Sequence, residues 1–171
     1  IWDAVTGQEL HSLKGHSAPV VHGAFSPDGQ FLATASWDNS VKLWDVNSGQ
    51  ELRTLAGHTK ILHGLAYRFD GQRLATASAD RTIKIWDSAS GREMLTVKGH
   101  TDFVQRVVFS PDGKWLASAS SDRTVKLWNA DTGQELRTLS GHASEVRSVV
   151  FHSDAKRLVS ASSDRTVKVW D

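Results

Sequence analysis

With 171 residues, 39% of them apolar and 23% charged, the chain can form one compact core and has the composition of a soluble globular protein. Its net charge of +1, from 20 Lys and Arg against 19 Asp and Glu, gives no general reason to expect nucleic acid or an acidic membrane as partner. The absence of cysteine excludes disulfides, thiolate metal sites and cysteine nucleophiles, and a reducing compartment, the cytoplasm, is expected.

No stretch approaches the roughly 20 apolar residues that span a bilayer. The chain starts at Ile1 in mid-pattern without Met, so a leader or flanking domains can precede it. Ile1-Trp2 reads as the end of a strand, and a further strand is expected near Glu9–Leu13. From there the chain repeats. Trp2, Trp44, Trp86, Trp128 and Trp170 are each 42 residues apart, and Gly15-His16, Gly57-His58, Gly99-His100 and Gly141-His142 keep that spacing. Four units follow without insertion: 3–44, 45–86, 87–128 and 129–170. They form one domain over 1–171, with no linker or low-complexity segment. In the third unit, strands are predicted at Phe103–Ser110, Trp115–Ser120, Thr124–Trp128 and Glu135–Leu139, separated by turns such as Ser110-Pro111-Asp112-Gly113. Val125 and Leu127 alternate with Lys126 and Trp128, a period of two, and no helical period is present. In the fourth unit the Pro-Asp-Gly turn becomes His152-Ser153-Asp154-Ala155, for which a looser turn is expected.

A 42-residue period with Gly-His near one end and Trp-Asp at the other resembles the WD-repeat β-propeller family over essentially the whole chain. One copy of either dipeptide would be weak evidence, whereas four in register are strong. The resemblance implies an all-β fold of radially arranged, four-stranded antiparallel blades around a central channel. The sequence repeat is then offset from the blade, so that its Trp ends the third strand and the next unit supplies the outermost one. The Asn129 that replaces Asp after Trp128 is a position often variable in the family.

Each unit carries a His, a Ser, an Asp and a Trp at fixed places: His16, Ser36, Asp38 and Trp44; His58, Ser78, Asp80 and Trp86; His100, Ser120, Asp122 and Trp128; His142, Ser162, Asp164 and Trp170. Ser, His and Asp are also the parts of a nucleophilic triad. A triad needs one exposed Ser in a cleft, however, and four copies in identical contexts imply a task performed once per blade. The family resemblance likewise implies a structural hydrogen-bond chain from the Trp indole through Ser and His to Asp. No catalytic residue is therefore assigned. His22, His63 and His152 are single and scattered, so no metal site and no cofactor is expected.

Specificity should lie in the columns that differ between units. Three such columns resemble the family's usual contact positions: Pro19, Ile61, Phe103 and Glu145; Val21, His63, Gln105 and Arg147; and Trp37, Ala79, Ser121 and Ser163. Trp37, Ile61 and Phe103 are expected as partly exposed anchors for a protein or peptide. The bland alternative is packing against neighbouring loops. Arg81, Arg123 and Arg165 follow the turn Asp and read as a basic rim for an acidic peptide or phosphate, or simply as solvated surface.

The leading expectation is thus a non-catalytic protein- or peptide-binding scaffold. A self-assembling structural fragment, natural or engineered and without a ligand, is the alternative, and a hydrolase is a remote third. Such rings usually close at seven or eight blades. Four units with complementary offset ends therefore suggest a homodimer closing an eight-bladed ring, each copy lending Glu9–Leu13 to the other's last blade; excision from a longer propeller and a four-bladed closure are the alternatives.

Overall fold

The computed structural model describes residues 1–171, which form fifteen β-strands and no helix. Three four-stranded antiparallel sheets follow one another: β1 (Val20–Phe25), β2 (Phe31–Ser36), β3 (Ser40–Asp45) and β4 (Glu51–Ala56); β5 (Leu62–Tyr67), β6 (Arg73–Ser78), β7 (Thr82–Asp87) and β8 (Glu93–Lys98); β9 (Val104–Phe109), β10 (Trp115–Ser120), β11 (Val125–Asn129) and β12 (Glu135–Leu139). The fourth sheet has three strands, β13 (Val146–Phe151), β14 (Leu158–Ser162) and β15 (Val167–Trp170). The fourth sheet has three strands because β15 runs to Trp170 and the outermost strand of a blade comes from the next unit, as the offset of repeat against blade implies. Strands pair only with their neighbours in sequence, as short hairpin connections favour.

Turn chemistry sets the hairpins. After β1, Gly29 takes a φ of 73° and donates to the Ser26 carbonyl at 2.8 Å, closing the Ser-Pro-Asp-Gly turn. The fourth unit keeps the same turn without glycine: Ala155 adopts a φ of 59° and donates to the His152 carbonyl at 3.0 Å. The turn is not looser, as the sequence suggested, but strained at one residue. Asn39, Arg81, Arg123 and Arg165 share a left-handed turn position, with φ between 68° and 72°. The three arginines are there turn residues facing solvent, and none of them enters an ion pair with a carboxylate.

Each sheet buries one face against the next blade. Ala33, Ala35, Val41, Leu43 and Leu55 of the first sheet pack against Leu62, Leu65, Leu74 and Trp86 of the second. The same junction recurs between the second and third sheets, and between the third and fourth. The fully buried pairs Ala33/Ala35, Ala75/Ala77 and Ala117/Ala119 on the middle strands let the next sheet approach. Larger residues there would force the sheets apart, at a cost of about 1–3 kcal/mol. The innermost strands meet in the order β1, β5, β9, β13, so their starts line up along one rim.

Two sheet faces remain uncovered. Val20 and Phe25 are exposed on the first blade, and Val167 and Val169, each 66% exposed, on the fourth. The strand expected near Glu9–Leu13 is not formed: Ile1-Trp2 and this segment meet only through an isolated bridge between Trp2 and Glu9. This is the pairing that Trp44–Glu51, Trp86–Glu93 and Trp128–Glu135 make inside the complete sheets.

Candidate functional site

The repeated polar chain is present in all four blades, but its hydroxyl is not the one the sequence suggested. In the third blade the Trp128 indole N–H donates to Ser118 Oγ at 2.8 Å, that oxygen lies 2.7 Å from His100 Nε2, and His100 Nδ1 lies 2.7 Å from Asp122 Oδ2. The corresponding hydroxyls elsewhere are Thr34, Thr76 and Ser160. Ser36, Ser78, Ser120 and Ser162 lie two residues further along the same strand. Each donates to a backbone carbonyl of the preceding loop, that of Ala18, Lys60, Asp102 or Ser144, and accepts the backbone N–H of the turn aspartate. The reason is register. Trp128 stands opposite Leu116, so its indole reaches diagonally to residue 118, whereas Ser120 sits at the bulged strand end beside the turn.

The charge pattern fixes the proton order. Burial alone would raise the Asp122 carboxyl, but bonds from His100, Thr124 and the Thr101 backbone N–H outweigh it and hold the group ionised, well below the usual carboxylate range. Asp80 is held down in the same way by His58, Thr82 and Thr59. An ionised aspartate accepts a hydrogen bond from Nδ1–H, which leaves Nε2 to accept from the hydroxyl. Every polar atom from indole to carboxylate is then satisfied. Ser118, His100 and Asp122 have the connectivity of a triad, yet Ser118 is 0% exposed and already receives the Trp128 N–H.

The variable columns gather on one rim. Backbone bonds join the third column to the first in every unit: Trp37 to Pro19 at 3.0 Å, Ala79 to Ile61, Ser121 to Phe103 and Ser163 to Glu145, each at 2.9 Å. Side chains link the second column to the third, with Gln105 donating to Ser121 Oγ at 2.7 Å and Arg147 to Ser163 Oγ at 3.0 Å. Trp37 is 47% and Phe103 38% exposed; Pro19, Val21 and Arg147 are exposed, and Ile61, His63, Gln105 and Glu145 are half-buried. His63 stacks on Phe103 with ring centres 6.2 Å apart, Lys60 Nζ lies 5.9 Å over that ring, and Arg147 pairs with Glu145 at 2.7 Å. Ala79, in the Trp37 column, is buried. Sequence reasoning missed the next position along the inner strands, His22, Gly64, Arg106 and Ser148. There Arg106 of β9 reaches past Gly64 and donates through Nη1 to His22 Nε2 of β1, two blades away. The signal was available as one more column in which no two units agree.

The family model for the WDR3 first β-propeller domain matches residues 1–171. The chain belongs to that family. The chain is similar to the Periodic tryptophan protein 2 homolog of Neurospora crassa, 44% identical over 43 residues, which are 25% of this chain and 5% of that protein. It also resembles the guanine nucleotide-binding protein subunit beta of Schizosaccharomyces pombe, 40% identical over 43 residues, 25% of this chain and 14% of that one. These matches extend over about one repeat, so the chain spans a small part of its curated relatives. A solved structure of U3-55K superposes with a TM-score of 0.87 at 30% identity, covering 92% of this chain and 50% of that one.

Proposed function

We propose that the chain is a cytoplasmic protein- or peptide-binding scaffold and performs no catalysis. The observation that supports this most is the rim. Three columns that differ between the units are contiguous there, and two aromatic side chains among them, Trp37 and Phe103, stay exposed. Exposed Trp and Phe beside polar groups are what a partner buries as anchors. Panning a displayed peptide library on the protein, with the Trp37→Ala, Phe103→Ala double variant as counter-screen, tests this. Enriched peptides should lose the double variant while its melting temperature stays unchanged. Equal retention by both proteins would overturn the reading. The non-catalytic part rests on the occupied hydroxyl of Ser118, and labelling of Ser118 by a fluorophosphonate would overturn it.

A second reading, self-assembly, is favoured by the fit between the two uncovered faces. Val159 stands where Ala33, Ala75 and Ala117 are fully buried, while Gly23 stands where Leu65, Val107 and Val149 pack. One face has gained bulk where the other has lost it. Lys42, Lys84 and Lys126 each bind a glutamate and a threonine of the outer strand. Lys168 has no such strand in its own sheet, and Glu9 and Ser12 occupy the matching places of the N-terminal segment, which no sheet of the chain takes up. Two copies of these 171 residues, each lending Glu9–Leu13 to the other's fourth sheet, make a ring of eight blades.

A further inference from the structure

The side-chain nitrogens that are buried without a partner lie together on the inner strands: Nδ1 of His22, Nε2 of His63 and Nε of Arg106. Two of the three, His22 Nδ1 and Arg106 Nε, are donors lacking acceptors. His22 Nε2 accepts from Arg106, so its Nδ1 carries the ring's proton and donates to nothing. Arg106 Nε–H also donates to nothing. The arginine–carboxylate pairs of the chain involve Arg68, Arg73, Arg147 and Arg157, and Arg106 has none. Burial pushes the His22 imidazole down to about 4, with the Arg106 charge adding to the effect, so His22 brings no second charge at neutral pH. A half-buried guanidinium therefore faces a neutral ring with no counter-ion, an arrangement that costs free energy unless an anion completes it.

Gly64 lies beside the arginine's path. A Cβ there would meet the Gln105 carbonyl oxygen tightly, at 3.2 Å, and Arg106 Cδ at an ordinary contact distance of 3.6 Å. His63, the residue before it, stacks on Phe103 at the rim. Arg106 thus crosses the second blade one residue from the variable rim.

We propose that Arg106 and His22, across the bare backbone of Gly64, form an anchor for a carboxylate presented by a partner peptide. The inference rests on the rim being the binding face and adds what that partner carries, an acidic side chain or chain end beside an apolar residue for Trp37 or Phe103. The carboxylate displaces His22 Nε2 as the acceptor of the Arg106 guanidinium and also takes the unpartnered Arg106 Nε–H, as charge-assisted bonds to arginine favour.

The test is a titration of the isotope-labelled chain with N-acetylated, C-terminally amidated tetraglutamate at low salt, followed by NMR of the His22 ring, with N-acetylated, C-terminally amidated tetraglutamine as the neutral control. Tetraglutamate should shift the His22 resonances saturably and tetraglutamine should not. Arg106→Gln should weaken binding about tenfold or more, the loss of one charge-assisted contact, and Arg106→Lys should recover part of it. Arg106→Lys, which keeps the charge but loses the guanidinium's second donor, should still bind more weakly than the unaltered chain, so the inference stays testable even if Arg106→Gln misfolds. Unmoved His22 resonances in the unaltered chain, or equal affinity in Arg106→Gln, would overturn it. Because tetraglutamate has no apolar group, its binding is independent of Trp37 and Phe103. Failure of the rim reading would appear in the library screen, and failure of the anchor in this titration.

Discussion

At the scale of the residue, one hydroxyl per blade carries the polar chain. Ser118→Ala should remove both the acceptor of Trp128 and the donor to His100, lowering stability by about 1–3 kcal/mol in a denaturant titration. Ser118→Thr should be tolerated, since Thr34 and Thr76 already fill that place in the first two blades. Ser120→Ala, which leaves the Trp–His link intact, should cost less; a greater loss at Ser120 than at Ser118 would reverse the assignment. A second residue-scale expectation concerns acid. The imidazole of His22 is held at about 4 in the fold against an ordinary 6.5, so the unfolded chain takes up the proton first. Stability from this group is complete above about 6.5 and falls as pH drops towards about 4. His22→Gln should flatten that slope in melting curves taken across the window; an unchanged slope would show that His22 is not its source. The sequence made the His, Asp and Trp of each chain legible because they are invariant and their spacing is fixed. The linking hydroxyl was hidden because Thr34, Thr76, Ser118 and Ser160 keep an oxygen while the methyl comes and goes, and the invariant serine two residues on drew the assignment instead.

At the scale of the element, strand and turn positions follow directly from the repeat, and all four predicted strands of the third unit form at or within one residue of their expected bounds. What the repeat could not reveal is how a departure from it is absorbed. The fourth unit lost its turn glycine, and the backbone geometry stayed while Ala155 took the strain. A residue with a Cβ in that left-handed region costs roughly 1–2 kcal/mol. Ala155→Gly should therefore stabilise the chain by about 1 kcal/mol, less the entropy a glycine adds to the unfolded state. A fall in melting temperature would contradict this account of the turn. Long-range consequences of short-range choices were equally hidden. Gly64 reads as an unremarkable strand glycine until the arginine of the next blade is seen lying across it.

At the scale of the whole molecule, four sheets in an arc leave two apolar faces in water, one with added bulk and one with a glycine. Light scattering of the 171-residue polypeptide should give twice 18.8 kDa. Deleting residues 1–14, which removes the N-terminal segment, should abolish that species, and a well-folded monomer would contradict ring closure. The offset of repeat against blade was legible in the sequence; the match proposed between Gly23 and Val159 was not, because it depends on which faces would meet. The surfaces proposed for self-association and for partner binding differ, so the two can be separated in one experiment. The most direct test of the scaffold role is to map, by backbone amide shifts, where a library-selected peptide binds. The perturbations should centre on Trp37, His63, Phe103 and Arg147 along the rim; perturbations centred instead on Val20, Phe25, Val167 and Val169 would show that the uncovered blade faces, and not the variable rim, are what this molecule offers a partner.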